Sequence, residues 1–461
     1  MKREQIMSAK AAFVDGKTCT SESETVELAI RSLVEVAPII RKTSSYDRAA
    51  VLDKVVAGLA ARSEEIAHLL AEEAGYLTIK DMRLEVQRVI ELFTLTAAYV
   101  RNGSSEVLNV DAVDRARGVF SYIKREPIGP ILGITSYNGP LLVPSHKVAP
   151  AIAAGAPILV KPSPHVPRAA ILLASMVVEA GWPAEAIAVV DVDNETTMAL
   201  VKDERLPVVS FTGGEVGWKI KDMVPRKHVH LELGGVGAVF VAADANIQVA
   251  ATECAAGGFV RSGQACISVQ RIYVERPQYQ AFVDAFVQAV GGMARSHDNP
   301  DAIGPMVDEG AARRVQAVIE DAVSKGAHLV CGGVREEDYV APTVVVDATG
   351  NMSVMRKEVF GPVVAVAPVD SADEALAEMN AVSGAIHHGV YTADLDLAMR
   401  FCDEINAGGV IVNGPGTWRV DSMPYGGTGT SGFGREGIRY AVEEFTEQKV
   451  IVVRPSKPSG R

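Results

Sequence analysis

Between residues 128 and 240 the chain alternates short apolar runs with helix-like stretches: "ILGITSY", "APILVKPS", a helix over 168–180, "AIAVVDV", a helix near 194–203, "PVVSFTGG", a helix from about 215, and "HVHLELGG". Strands that read as unbroken apolar runs are buried on both faces, and strands that alternate with helices form βαβ units around a parallel sheet. This pattern predicts a nucleotide-binding type of α/β architecture, with ligands held at the carboxyl ends of the strands.

A second α/β series follows residue 266: "SVQRIYV", a helix over 277–294, a helix over 308–325, "HLVCGG", "VAPTVVV", "VVAVAPV", a helix over 372–380, "HHGVYT", a helix over 394–405 and "GGVIVNG". A chain of 461 residues is too long for one ordinary core and predicts two or three domains. Upstream, Leu52, Val55, Val56, Leu59, Ile66 and Leu69 return at helix spacing, and residues 22–101 read as a set of three helices. "VFSYIKREPIG" alternates like an exposed antiparallel strand or serves as a linker, and "TEQKVIVVRP" is a strand-like tail.

A net charge of -12 opposes nucleic acid and anionic membrane surfaces, leaving a small molecule as the natural partner. The five cysteines, Cys19, Cys254, Cys266, Cys331 and Cys402, match no zinc spacing and do not make a full disulfide framework, so no metal site is expected and reduced thiols in the cytoplasm fit best. "MKREQIMSAKAAFVDGKTCT" lacks the apolar core of a signal peptide, and the longest apolar run, 148–160, is short and broken by Pro and Gly.

No G-x-G-x-x-G joins a strand to a helix. The nearest substitute, "FTGGEVG" (211–217), either aims backbone N–H groups at a phosphate or is a plain connection. Lys161 in "ILVKPSPHVP" ends a strand, as a solvated cap or a donor to ribose. Glu232 in "HLELGG" is an outward carboxylate or a desolvated general base. Cys266, behind the Ser-Gly-Gln turn of "FVRSGQACISVQRI", is a small buried hydrophobe or a nucleophile; the latter needs a pKa below the usual value of about 8.5.

Taken in order, "ITSYNGPL", "KPSP", "FTGG", "LELGG", "GQAC", "EVFGPV" and "PYGGTGTSGFGRE" resemble the motif series of the aldehyde dehydrogenase superfamily, over essentially the whole chain from about residue 45. The resemblance implies a Rossmann-type cofactor domain (1–110 and 128–234), an α/β catalytic domain (235–433) and a small β extension for oligomerisation (111–127 and 437–461), hence a homodimer or homotetramer. It makes Cys266 the nucleophile, Asn138 the oxyanion donor and Glu232 the general base. Lys161 corresponds to the residue holding the adenosine ribose, Glu358 and Phe360 to the pair positioning the nicotinamide ribose and ring, and Gly213 and Gly214 to the phosphate-facing helix start. Ile134, Ser136, Tyr137, Ser163, Pro164, Gly217 and Leu233 complete the implied cofactor cleft. The implied reaction runs through a thiohemiacetal and a thioester, whose hydrolysis releases a carboxylate.

Several positions depart from the family pattern. Pro164 stands where a glutamate usually meets the adenosine ribose, so the cofactor is NAD or NADP, with NAD favoured. Ser136-Tyr137 replaces the common Pro-Trp or Pro-Phe, Thr428-Gly429 replaces Val-Lys, and the start of the chain lacks the usual opening β-hairpin. The branch most resembled handles lactaldehyde, glycolaldehyde and phosphonoacetaldehyde, which implies a small, polar aldehyde with an anionic phosphonate or carboxylate as one option. Gly139, Leu142, His146 and Ala265 match the substrate funnel. Arg88 and Arg419 lie near its mouth, either gripping an anion or solvated. The alternatives are a CoA-acylating semialdehyde dehydrogenase, against which Glu232 speaks, and an inactive dinucleotide-binding homologue.

Overall fold

The parallel sheet expected between residues 128 and 240 forms the centre of an eight-stranded sheet in the computed structural model, which describes residues 10–103, 105–293 and 302–455. Residues 1–9 of the segment read for a signal peptide, the last residue of the helix expected over 277–294, and 456–461 of the expected extension lie outside the described residues. The strands run in the order Gly432–Phe433, His228–Glu232, Val208–Thr212, Ile131–Ile134, Ile158–Lys161, Ile187–Val190, Ala11–Val14 and Lys17–Thr20. The five from His228–Glu232 to Ile187–Val190 are mutually parallel. Chain order reverses beside Ile131–Ile134, whose neighbours are Ile158–Lys161 and Val208–Thr212, so a crevice opens at the carboxyl ends there. Every residue of Ile131–Ile134, Ile158–Lys161 and Ile187–Val190 is buried, as the unbroken apolar runs require. Each Val, Ile or Leu so buried contributes about 1.5–3 kcal/mol.

Two sequence expectations are corrected. The opening β-hairpin is present: Ala11–Val14 pairs with Lys17–Thr20 and also with Ile187–Val190, extending the sheet. Asp15 and Gly16 turn it with φ of 50° and 78°, the positive pair that an Asp-Gly hairpin turn demands. Both strands are four residues long and the outer one is wholly exposed, so no apolar alternation marks it. Secondly, the N-terminal helices number four: Ser23–Ile40, Ser45–Ala61, Ser63–Ala74 and Ile79–Asn102. Arg62 alone separates two of them, and apolar periodicity runs on across it without Gly or Pro.

The second α/β series builds a seven-stranded sheet, from His328–Cys331 through Thr343–Val346, Val363–Val369, Arg271–Glu275, Ala238–Val241 and His387–Tyr391 to Gly409–Val412. Its pairs are parallel except the first. The strand expected from "ISVQRI" starts only at Arg271. Phe120–Pro127 is a strand, not a linker; it pairs with Glu106–Leu108 and, over eight residues, with Thr446–Val453. Gly432–Phe433 returns to pair with His228–Glu232 of the first sheet, joining the two α/β series. Among the described residues no helix is long and apolar enough to cross a membrane.

Candidate active site

A cavity of about 370 Å³ lies where segments leaving the two large sheets meet, and Cys266 is in its wall. The turn before Cys266 is strained: Arg261, Ser262 and Gly263 have φ of 52°, 59° and 70°. Left-handed backbone at non-glycine residues costs on the order of 1–3 kcal/mol each and persists only where the surroundings dictate it. Here they do. Ser262 Oγ donates to the Gly304 carbonyl at 2.6 Å, Gln264 Nε2 donates to the Arg261 carbonyl at 3.2 Å, and Gln264 Oε1 accepts the Val307 N–H at 2.9 Å. Arg261 pairs with the fully buried Glu85 at 2.7 Å and donates to the Asn138 carbonyl. A Cβ at Gly263 would strike the Gly361 carbonyl.

Asn138 faces this turn across the cavity. Its Oδ1 accepts from Ser136 Oγ at 2.7 Å and its Nδ2 donates to the Gln264 carbonyl at 3.0 Å, leaving one amide N–H for a ligand. Glu232 ends its strand with both carboxyl oxygens buried and without a hydrogen bond. Burial, and next the nearby Glu436, push its pKa well above the usual carboxyl range. Burial also pushes the Cys266 thiol up, Glu232 adds to this, and the Tyr425 hydroxyl at 2.7 Å opposes it.

Behind Glu232, Lys147 Nζ is buried and donates to Ser210 Oγ at 3.0 Å and Thr212 Oγ1 at 2.8 Å, with Glu436 Oε1 at 3.5 Å. Burial raises the Glu436 pKa, but Lys147, His146, His230 and Arg419 together hold it below the ordinary value. The two carboxyls therefore differ in basicity, Glu232 being the stronger base and Glu436 the more readily ionised.

A cationic wall completes the cavity. Arg419 donates to Asp421 Oδ1 at 2.8 Å and lies 3.7 Å over the Tyr425 ring, while Arg88 reaches the same Asp421 oxygen at 3.3 Å. His146 Nε2 is 3.6 Å from that oxygen, but burial brings its pKa down to about 4 and keeps it neutral near pH 7.

Fifteen of the residues singled out in the sequence line this cavity: Cys266, Asn138, Glu232, Ser136, Tyr137, Gly213, Gly214, Leu233, Glu358, Phe360, Arg88, Leu142, His146, Ala265 and Arg419. Ile134, Lys161, Ser163, Pro164, Gly139 and Gly217 do not. Ile134 and Lys161 end adjacent strands, Ser163 and the exposed Pro164 follow Lys161, Gly217 packs under Leu233 and Phe211, and Gly139 abuts Val143 and Arg261. The Gly213 N–H donates to the Glu232 carbonyl at 3.0 Å, whereas Gly214 faces open space. Glu358 Oε1 accepts the Gly235 N–H at 3.2 Å, a Cβ at Gly234 would collide with its carboxylate, and burial brings its pKa up to about 7. Phe360, at φ 49°, meets Tyr137 edge-on at 6.0 Å.

Tyr425, Arg261, Lys147, Asp421 and Glu436 escaped the sequence reading. "FVRSGQAC" and "PYGGTGTSGFGRE" contained Arg261, Tyr425 and Glu436, but nothing local says what an arginine or tyrosine touches 100 or more residues away.

The family model described as the aldehyde dehydrogenase family matches residues 8–451. The chain is 36% identical over 414 residues to 3-sulfolactaldehyde dehydrogenase from Priestia aryabhattai, covering 89% of this chain and 87% of that one. It is 34% identical over 443 residues to lactaldehyde dehydrogenase from Methanococcus aeolicus, covering 94% and 93%. The crystal structure of aldehyde dehydrogenase 21 from Physcomitrella patens, in complex with the reaction product succinate, is similar with TM-score 0.91 and 34% identity, covering 97% of this chain and 95% of that one.

Proposed function

The chain belongs to the aldehyde dehydrogenase family, NAD(P)-dependent oxidoreductases acting on aldehydes, and we propose that its substrate is a small polar aldehyde with an anionic tail, oxidised to the carboxylate through an adduct on Cys266. The guanidinium donors of the cavity wall carry this reading. Arg88 and Arg419 both end on one oxygen of Asp421, and the buried Arg419 Nε has no partner, so this wall keeps N–H donors for a ligand. A carboxylate, sulfonate or phosphonate tail accepts from those donors, and guanidinium forks suit all three. The relatives named for sulfolactaldehyde and the structure holding succinate act on or hold such groups.

Residues from the cavity wall toward Lys161 fit a dinucleotide. Among the described residues, the buried Lys161 Nζ makes no hydrogen bond, which leaves it for ribose hydroxyls, and the space at Gly214 admits a diphosphate beside the helix start. Glu358 would hold the second ribose. Asp191 and Asp193 act electrostatically on Lys161, which disfavours a 2′-phosphate there and makes NAD the proposed cofactor over NADP.

Cys266 attacks the aldehyde carbon, and the free N–H of Asn138 Nδ2 with the Cys266 backbone N–H holds the oxyanion of the thiohemiacetal. A nicotinamide held beside Glu358 and Phe360 would supply the hydride acceptor for the collapse of that oxyanion. Glu232 then deprotonates the water that hydrolyses the thioester, and the ionised Glu436 beside it gives the proton a second carboxylate to reach. One face of the small sheet exposes Val107, Phe120 and Val453, an apolar surface suited to a second copy of the chain in a homo-oligomer.

The test is kcat/KM with NAD for succinate semialdehyde, sulfoacetaldehyde and phosphonoacetaldehyde against neutral propionaldehyde. We expect the anions to be favoured roughly 10–100-fold, the worth of a charge-assisted hydrogen bond or two. Equal rates for propionaldehyde would refute the anionic tail, and a product that requires CoA would refute hydrolysis.

A further inference from the structure

Tyr425 joins three parts of the cavity. Its ring is buried, lies under the Arg419 guanidinium and meets His387 edge-on at 5.4 Å, and its backbone exchanges hydrogen bonds with Glu436 at 2.9 and 2.6 Å. These contacts point the hydroxyl at Cys266 Sγ, 2.7 Å away. We infer that Tyr425 is a further catalytic residue: its O–H donates a hydrogen bond to the Cys266 sulfur and stabilises the thiolate whenever that sulfur carries the charge. The inference rests on Cys266 being the nucleophile.

The direction of the bond follows from the donors available. A thiolate has no proton to give, so in the ionised state only the phenol can donate. The other groups facing the sulfur do not replace it. Glu232 and Glu358 oppose negative charge on it, and Arg419 favours it but directs its guanidinium to Asp421. Asn138 Nδ2 is directed at the Gln264 carbonyl and serves oxygen, not sulfur. Lys147 and Glu436 lie behind Glu232 and bear on it rather than on the thiol. The Glu232 carboxylate also reaches the thiol, but as an acceptor, so Tyr425 is the side chain placed to donate to the sulfur.

In the activating step the S–H bond breaks, its electron pair stays on sulfur and the proton leaves to solvent water. Tyr425 keeps its own proton throughout. The same thiolate returns as the leaving group when the thioester is hydrolysed. One O–H therefore assists both the opening and the closing half of the reaction, whereas the Asn138 amide acts on the oxyanion.

The experiment follows alkylation of Cys266 by iodoacetamide between pH 6 and 10, read by peptide mass spectrometry, in the parent, in Tyr425→Phe and in protein with 3-fluorotyrosine at 425. Phenylalanine keeps the ring contacts and removes only the hydroxyl. We expect the alkylation midpoint to rise by about one pH unit in Tyr425→Phe, and the burst and steady-state rates to fall about 10-fold with cofactor Kd unchanged. The more acidic fluorotyrosine moves the midpoint the other way, and it decides the matter even if the phenylalanine variant folds poorly. Superimposable profiles for all three proteins overturn the inference. Turnover surviving in Cys266→Ala overturns instead the nucleophile assignment beneath it, so the two failures are distinguishable.

Discussion

At the Cys266 end of the cleft the polar side chains other than the carboxyl of Glu232 are held by protein groups, whereas at the far end the ammonium of Lys161 is left without such a tie. Around Cys266, the side chains of Ser262, Gln264, Asn138, Arg419 and Tyr425 each hold a named hydrogen-bond partner, and the strained turn is dictated from several sides. At the far end, Lys161 Nζ makes no hydrogen bond and Pro164 lies exposed beside it. The difference separates two tasks. Charge that appears on sulfur and oxygen during a reaction must meet donors already in place, because reorganising them would raise the barrier. A group that only binds is completed by its ligand.

Replacing residues at each end is the sharpest way to break that division. Cys266→Ala is expected to lower turnover by more than about 10^4-fold while cofactor Kd, read by protein fluorescence, stays within a factor of two or so. Glu232→Gln is expected to lower steady-state turnover roughly 10²–10⁴-fold yet leave the first burst of reduced cofactor in stopped-flow absorbance. A burst lost along with turnover would place the base before the thioester. Lys161→Ala is expected to weaken cofactor binding roughly 10–100-fold with kcat little changed, and a matching fall in kcat would erase the contrast between the ends. The smallest effect is in pH. Burial brings the Glu358 pKa up to about 7, so its carboxyl is protonated below that pH and ionised above. An ionised carboxylate accepts ribose hydroxyls better, so cofactor affinity should rise a few-fold between pH 6 and 8 in titration calorimetry and lose that dependence in Glu358→Gln.

What the sequence revealed divides along similar lines. The strand ends carrying Lys161, Thr212 and Glu232 were legible because unbroken apolar runs are long-lived signals of buried parallel strands. The hairpin at Asp15 and Gly16 was missed although its turn chemistry is explicit, because an exposed four-residue strand has no apolar face to display. Arg62 hid a helix boundary for the converse reason, since both helices it separates keep one apolar stripe. Tyr425 and Lys147 were unreadable on other grounds: their partners Cys266 and Glu436 lie 159 and 289 residues away, and only the assembled fold brings them within reach.

The pairing of Phe120–Pro127 with Thr446–Val453 also sets a schedule for biosynthesis. Glu126 and Lys449 face each other across 323 residues of chain. At 5–20 residues per second, the first strand leaves the ribosome roughly 16–65 s before its partner exists. During that interval Phe120–Pro127 has Glu106–Leu108 on one side and an open edge on the other, the kind of edge that recruits foreign strands. That edge stays open until Thr446–Val453 has been made, and removing that strand would make the exposure permanent.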